Sequence, residues 1–190
     1  MFVLKKKYFL IIESIKDINL ENIKKRNKFI IIYRRHKYLE DKKALFKFRK
    51  KCKLKSIDFY VANNLKLAIS LSSDGVYLSS YNKSFKALTL ARPNFDIIGS
   101  AHSKMEITKK IKQGCKLILL SKLFLVSYNK RADFLGVIRF NNYLKFNKNL
   151  IPLGGINLNN LNSLNIIFSK GLALMSELKK KPANIINRLF

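Results

Sequence analysis

Apolar positions along the chain fall into short, nearly continuous runs, separated by segments in which apolar residues recur at helical spacing. Eight runs read as strands: Tyr8–Ile12, Phe29–Tyr33, Ile57–Ala62, Gly75–Leu78, Asp96–Gly99, Lys116–Leu120, Leu150–Leu153 and Gly171–Leu174. Runs such as F-I-I-I-Y and K-L-I-L-L do not alternate apolar with polar, so both faces of these strands must be covered, as in a parallel sheet. The spacing predicts helices over Asp41–Lys51, Asn64–Leu71, Asn82–Leu90, Lys104–Gln113, Val137–Phe146, Leu158–Phe168 and Pro182–Leu189. Gly114 follows the fourth of these, where a helix stop belongs. The connection around Asp17–Lys25 is short and weakly helical. Eight such alternations predict an α/β protein with a (β/α)8 TIM barrel, one compact domain over residues 1–190, near the short end for that fold. An open doubly wound sheet is the competing architecture.

Composition alters this picture little. Hydrophobic residues make up 48% of the chain, enough for a substantial core and too many for disorder. Lys and Arg number 39 against 11 acidic residues, a formal charge of +28. Such an excess ordinarily points to nucleic acid, an acidic membrane surface or an anionic ligand. Here the lysines are spread along the whole chain, and Lys, Asn and Ile are abundant together while Trp is absent, as an AT-rich coding sequence would produce. Compositional drift is the preferred account, with a basic RNA-associated protein kept as a remote alternative. Cys52 and Cys115 have no metal-ligand spacing and make no disulfide framework, so a reduced, cytoplasmic setting is expected. The N-terminal M-F-V-L-K-K-K-Y-F-L-I-I-E has too short an apolar run for a signal peptide, and no stretch approaches membrane-spanning length. No membrane partner is expected, and homo-oligomerisation is left open.

The candidate chemistry begins at L-I-P-L-G-G-I-N-L-N-N, Leu150–Asn160. Paired glycines pack poorly in a strand and lose the most backbone entropy on folding. They suit a sharp turn, or a backbone that another group must approach closely. Loops after the seventh and eighth strands of such barrels commonly bind phosphate, which makes Gly154 and Gly155 candidates; plain turn-shaping is the alternative.

Further short motifs follow in order: I-Y-R-R-H-K at Ile32–Lys37, V-A-N-N-L-K-L-A at Val61–Ala68, S-D-G-V-Y-L at Ser73–Leu78, I-G-S-A-H-S at Ile98–Ser103, Lys130, L-G-V at Leu135–Val137, L-G-G-I-N at Leu153–Asn157 and G-L-A-L-M-S at Gly171–Ser176. Together they resemble the thiamine-phosphate synthase and thiazole tautomerase (TenI-like) family. The resemblance implies the barrel fold and one of two chemistries. The synthase joins a pyrimidine diphosphate to a thiazole phosphate, with magnesium helping pyrophosphate to leave. The tautomerase moves a proton on a thiazole carboxylate phosphate to give the aromatic isomer. Both require a phosphate anchor.

On the thiazole-phosphate side the resemblance implies a phosphate contact from Lys130, backbone contributions from Gly136, Gly155, Met175 and Ser176, and a polar Ser100 near the reacting centre. Arg34 keeps the arginine of the strand-two motif. The diphosphate side departs from the family pattern: Gln-x-Arg-x-Lys becomes Ile32, Arg34 and His36, the Asn-Asp pair becomes Ala62 and Asn63, and a second metal-binding aspartate aligns with Asn82. Mg2+ usually relies on one or two carboxylates together with substrate phosphates. At roughly 4 Å and an effective dielectric near 20, each lost charge forfeits about 4 kcal/mol of attraction. Mg2+ is implied for a synthase, and the amides at Asn63 and Asn82 argue against it.

His102 matches the histidine that tautomerases use for proton transfer, and synthase-like relatives can carry it too. Imidazole exchanges protons near neutrality without a metal; a structural histidine opening a helix beside Ser100 and Ser103 is the other reading. Asp74 reads as a turn or cap, and Tyr60, Phe85, Phe124 and Phe140 as core rather than a base-stacking platform. Lys5–Lys7, Lys24–Arg26 and Lys179–Lys181 read as solvated faces. The expectation is a thiamine-biosynthesis enzyme resembling thiamine-phosphate synthase that binds thiazole phosphate, with pyrimidine diphosphate as a second substrate if it is a synthase. A metal-independent tautomerase using His102 and a non-catalytic phosphate-ligand-binding barrel are the alternatives.

Overall fold

Among the described residues eight strands are present: β1 Lys7–Ile12, β2 Phe29–Tyr33, β3 Asp58–Ala62, β4 Gly75–Leu78, β5 Asp96–Ala101, β6 Leu117–Ser121, β7 Leu150–Leu153 and β8 Gly171–Leu174. They belong to a computed structural model that describes residues 7–23, 27–35, 40–90, 93–126 and 133–175. Each strand pairs in parallel with the next, and β1 pairs with β8 from Lys7↔Gly171 to Leu10↔Leu174, so the sheet closes into a barrel. That closure rules out the open doubly wound sheet. All eight expected strands form, with ends shifted by no more than two residues.

Successive side chains point to opposite faces of a strand, so each strand feeds two cores. Phe9, Ile30, Tyr60, Tyr77, Leu119 and Ile151 fill the barrel interior. Leu10, Ile31, Phe59 and Leu120 alternate with them and face outward, in a second core that includes Leu45, Phe48, Ile107 and Phe140 of the surrounding helices. Burying each such side chain contributes about 1.5–3 kcal/mol, which explains why strands only four or five residues long hold together.

The helices are α1 Lys42–Leu54, α2 Leu65–Ser70, α3 Lys86–Thr89, α4 Lys104–Lys112 and α5 Gly136–Phe146. Gly114 lies just past α4 with φ +76°, the left-handed stop expected there. Among its described residues, the connection from β1 to β2 holds two three-residue 3-10 turns, Ile15–Asp17 and Leu20–Asn22. Two expected helices are corrected. Asn82–Leu90 shrinks to α3 because Asn82 Oδ1 accepts the Ser84 N–H (2.9 Å), while the carbonyls of Asn82 and Ser84 are taken by side chains of α4 and its C-cap. Leu158–Phe168 becomes a 3-10 segment, Leu161–Ile166, because Asn157 and Asn160 bond each other's backbone N–H groups and compete with a helical start. The expected helix Pro182–Leu189 lies outside the described residues.

At the N-terminal end of the barrel, Arg49 of α1 donates to Asp74 Oδ1 (2.8 Å) and to the Ser72 carbonyl (3.2 Å). The other Asp74 oxygen accepts the Phe59 N–H at 2.7 Å. Asp74 is thus a structural tie between α1, β3 and β4. Tyr60 and Phe140 are core as expected, whereas Phe85 is 51% exposed and Phe124 only half-buried. Among the described residues no helix is long and apolar enough to cross a membrane.

Candidate functional site

In a parallel barrel every strand delivers its last residues to one rim, and catalytic groups sit there. Here that rim surrounds a cavity of about 510 Å3, within the roughly 300–1,000 Å3 of small-molecule sites. Arg34 reaches it from β2, Ser79 and Ser80 from β4, Ser100 and His102 from β5, Ser121 and Lys122 from β6, Gly154–Asn157 from β7 and Met175 from β8.

His102 is held by its backbone. Ser103 caps α4 by accepting the Glu106 N–H (3.3 Å), and Glu106 Oε2 reaches back past the cap to accept the His102 N–H (2.7 Å). The helix start is therefore satisfied without the imidazole, and the ring is left to the cavity. Its Nδ1 lies 3.0 Å from Ser121 Oγ, and its Nε2 lies 3.5 Å from Ser80 Oγ. A hydroxyl can donate or accept, so Ser121 supports either neutral tautomer. Tyr77, on the wall beside Ser100, has its phenol pushed up by burial, opposed by a Ser100 hydrogen bond and the Arg34 charge.

The glycine pair after β7 makes a sharp turn that a neighbouring backbone approaches closely. Gly154 and Gly155 have φ +94° and +70°. A Cβ on Gly155 would overlap the Phe124 carbonyl oxygen and lie 2.6 Å from that of Leu125. The loop after β6 is bonded onto this turn, Phe124 N–H donating to the Gly154 carbonyl (3.0 Å). The Gly155 carbonyl is taken by the amides of Asn160 (2.8 Å) and Asn157 (3.3 Å). The N–H groups of Gly155 and Ile156, by contrast, donate to no described residue, and both residues line the cavity.

Of the residues expected in the site, Arg34, Ser100, His102, Gly155 and Met175 meet in this cavity. Gly136 does not line it; its N–H donates to the Leu123 carbonyl (2.9 Å) at the start of α5. Lys130, Ser176 and His36 lie outside the described residues. Sequence reasoning missed Ser80, Ser121, Lys122 and Asn157. A signal was available: polar residues directly after barrel strands are candidates by position alone.

On the other side, a second cavity of about 350 Å3 is lined by Arg34, Arg35, Asn63, Asn64 and Tyr81, among others. Asn63 Oδ1 accepts the Ser79 N–H (3.0 Å), the Ser79 hydroxyl (3.0 Å) and Asn82 Nδ2 (3.1 Å). Asn82 Oδ1 is occupied by Ser84. Both amide oxygens at the metal positions implied by the resemblance are neutral and already bonded, and among the described residues no three His, Cys, Asp or Glu side chains cluster as ligands. This donor set does not fit Mg2+. Ile32, at the position of the family's glutamine, is wholly buried in the barrel interior.

A family model described as thiamine monophosphate synthase matches residues 11–178. The chain is 31% identical over 159 residues to a thiamine-phosphate synthase of Prochlorococcus marinus subsp. pastoris, covering 81% of this chain and 44% of that protein. A second thiamine-phosphate synthase, from another Prochlorococcus marinus strain, is 27% identical over 173 residues, covering 88% of this chain and 48% of its own. The chain thus spans less than half the length of these relatives. Among solved structures, a thiamine phosphate pyrophosphorylase from Pyrococcus furiosus superposes with TM-score 0.71 at 17% identity, over 96% of this chain and 97% of that one, a likeness of fold.

Proposed function

Because the chain belongs to the thiamine monophosphate synthase family, we propose that its C-terminal cavity binds a thiazole phosphate and transfers a proton on it without a metal ion. The observation that carries this reading is His102: the imidazole faces a ligand-sized cavity, its backbone is fixed by the α4 cap, and Ser121 holds Nδ1. In the proposed reaction, Nε2 takes a proton from one carbon of the bound thiazole and returns a proton to another, so no proton or electron is consumed overall. The phosphate is met by the spare N–H groups of Gly155 and Ile156, with Lys122 on the same wall. Exposed amides with an adjacent cation are a general anion site. The already bonded amide oxygens of Asn63 and Asn82 support metal independence.

One observation favours the synthase instead: the second cavity adjoins the first through Arg34 and Tyr81, which line both, and an arginine between two cavities suits a diphosphate. Tautomerisation measured with wild type and His102→Ala separates these readings. Loss of general acid–base catalysis lowers the rate by roughly 10²–10⁴-fold, with thiazole-phosphate binding retained. Equal rates remove the catalytic role of His102. Binding without turnover by the wild type identifies a non-catalytic barrel, and affinity for RNA that falls steeply with salt identifies the basic-protein alternative.

A further inference from the structure

Lys110 lies on α4, yet only 1% of it is exposed. Its stem runs past Gly99 of β5, where a Cβ would sit 2.9 Å from Lys110 Cδ, so the strand leaves a corridor for it. At the end of that corridor Nζ donates to the carbonyls of Ser79 (2.6 Å) and Asn82 (2.8 Å) and to Gln113 Oε1 (2.9 Å). All three ammonium hydrogens are used, and every acceptor is a neutral oxygen. Gln113, 2% exposed, adds bonds to the carbonyls of Asn82 (3.0 Å) and Ser84 (2.8 Å). A cation ringed by carbonyl oxygens is the coordination a protein gives a bound metal ion, supplied here by a side chain.

We propose that Lys110 is a positioning residue whose ammonium group acts as a built-in cation, fixing the loop between β4 and α3 from beneath and, through it, the polar rim formed by Asn63, Ser79 and Asn82. The links are direct. Ser79 presents its carbonyl to Lys110 and its N–H and hydroxyl to Asn63; Asn82 presents its carbonyl to Lys110 and its side-chain amide to Asn63. The same loop carries Ser80 and Tyr81 to the cavity wall. The rim is therefore set before a ligand arrives, and the loop has no need of an external ion. The consequence for ligand binding rests on the thiazole-phosphate reading above; the clamp itself does not.

The test is amide hydrogen exchange on wild type, Lys110→Met and Lys110→Ala, read at Ser79, Asn82 and Ser84, with the Arg34 amide as reference. Loss of charge-assisted bonds is expected to speed exchange at the three loop amides by about tenfold or more, leaving Arg34 unchanged. In Lys110→Ala, propylammonium, the deleted fragment, should restore protection, while 1-propanol of similar size should not. Unchanged loop exchange, or equal rescue by both compounds, overturns the proposal. Should the Lys110 variants fail to fold, Gln113→Met serves: faster exchange confined to Ser79–Ser84 supports the clamp, and its absence overturns it. Calorimetry with thiazole phosphate adds the second readout, with binding about tenfold weaker in Lys110→Met. If the wild type binds no thiazole phosphate while the exchange result holds, the functional reading fails and the clamp stands.

Discussion

The two halves of the barrel mouth treat their polar groups in opposite ways. On the β5–β8 side, His102, Gly155, Ile156 and Lys122 line the cavity, and the Gly155 and Ile156 N–H groups donate to no described residue. On the β3–β4 side, the Asn63 and Asn82 side-chain oxygens, the Ser79 hydroxyl and the Lys110 ammonium group are all bonded within one network. A buried polar group must find a partner, so unspent capacity marks where a ligand belongs, and spent capacity marks a wall. Under the function proposed above, the difference separates residues that would meet a ligand from residues that would only shape its site.

The strongest way to break the comparison is on the open side. Gly155→Val forces a β-branched residue into φ +70° and against the Phe124 carbonyl. It should cost about 3 kcal/mol of stability and abolish thiazole-phosphate binding; urea unfolding and calorimetry check both. Native stability would mean that the turn has room the structure denies it.

On the closed side, Asn63→Asp combined with Asn82→Asp replaces an amide-to-carbonyl bond by two facing carboxylates. The double variant should lose about 2 kcal/mol in EDTA and regain part of it with Mg2+, measured as thermal midpoints. No loss would show that the amide cluster carries no weight. A finer effect is expected from Ser121→Ala, which frees His102 Nδ1. Turnover should fall about fivefold with KM unchanged, a loss near 1 kcal/mol for one hydrogen bond. A change in KM alone would assign Ser121 to binding instead.

The smallest effect concerns Cys115, whose thiol sits by Gly99 and the Lys110 stem. Burial pushes it up to about 11, against an opposing pull from the Lys110 charge. A raised value keeps the thiol protonated at neutral pH, so iodoacetamide should react slowly there, and its rate should climb with pH until about 11. Fast alkylation at neutral pH would mean that the packing under the closed half opens.

The strands and their closure were legible because they rest on local apolar runs, whose period of two dictates both cores at once. Gly114, the glycine pair and the meeting of Arg34, Ser100, His102, Gly155 and Met175 were legible for a similar reason: each is tied to the end of a strand or helix. Helix α3 was not. Its shortening depends on Lys110 and Gln113 capturing carbonyls about thirty positions earlier in the chain, a competition no local pattern records. Gly136 matched a family motif, yet its N–H is used by Leu123, and motif spacing carries no information about that bond. Lys122 lay hidden among many lysines.

The most direct test of a metal-independent thiazole-phosphate site is one coupled assay. Thiazole phosphate and pyrimidine diphosphate are supplied together, with EDTA or with Mg2+, and ligand binding and thiamine phosphate are both measured. The open and closed halves predict thiazole phosphate bound equally well in EDTA and in Mg2+, with no metal-dependent thiamine phosphate. Product that appears only with Mg2+ would contradict them, because Asn63 and Asn82 would then be working metal ligands.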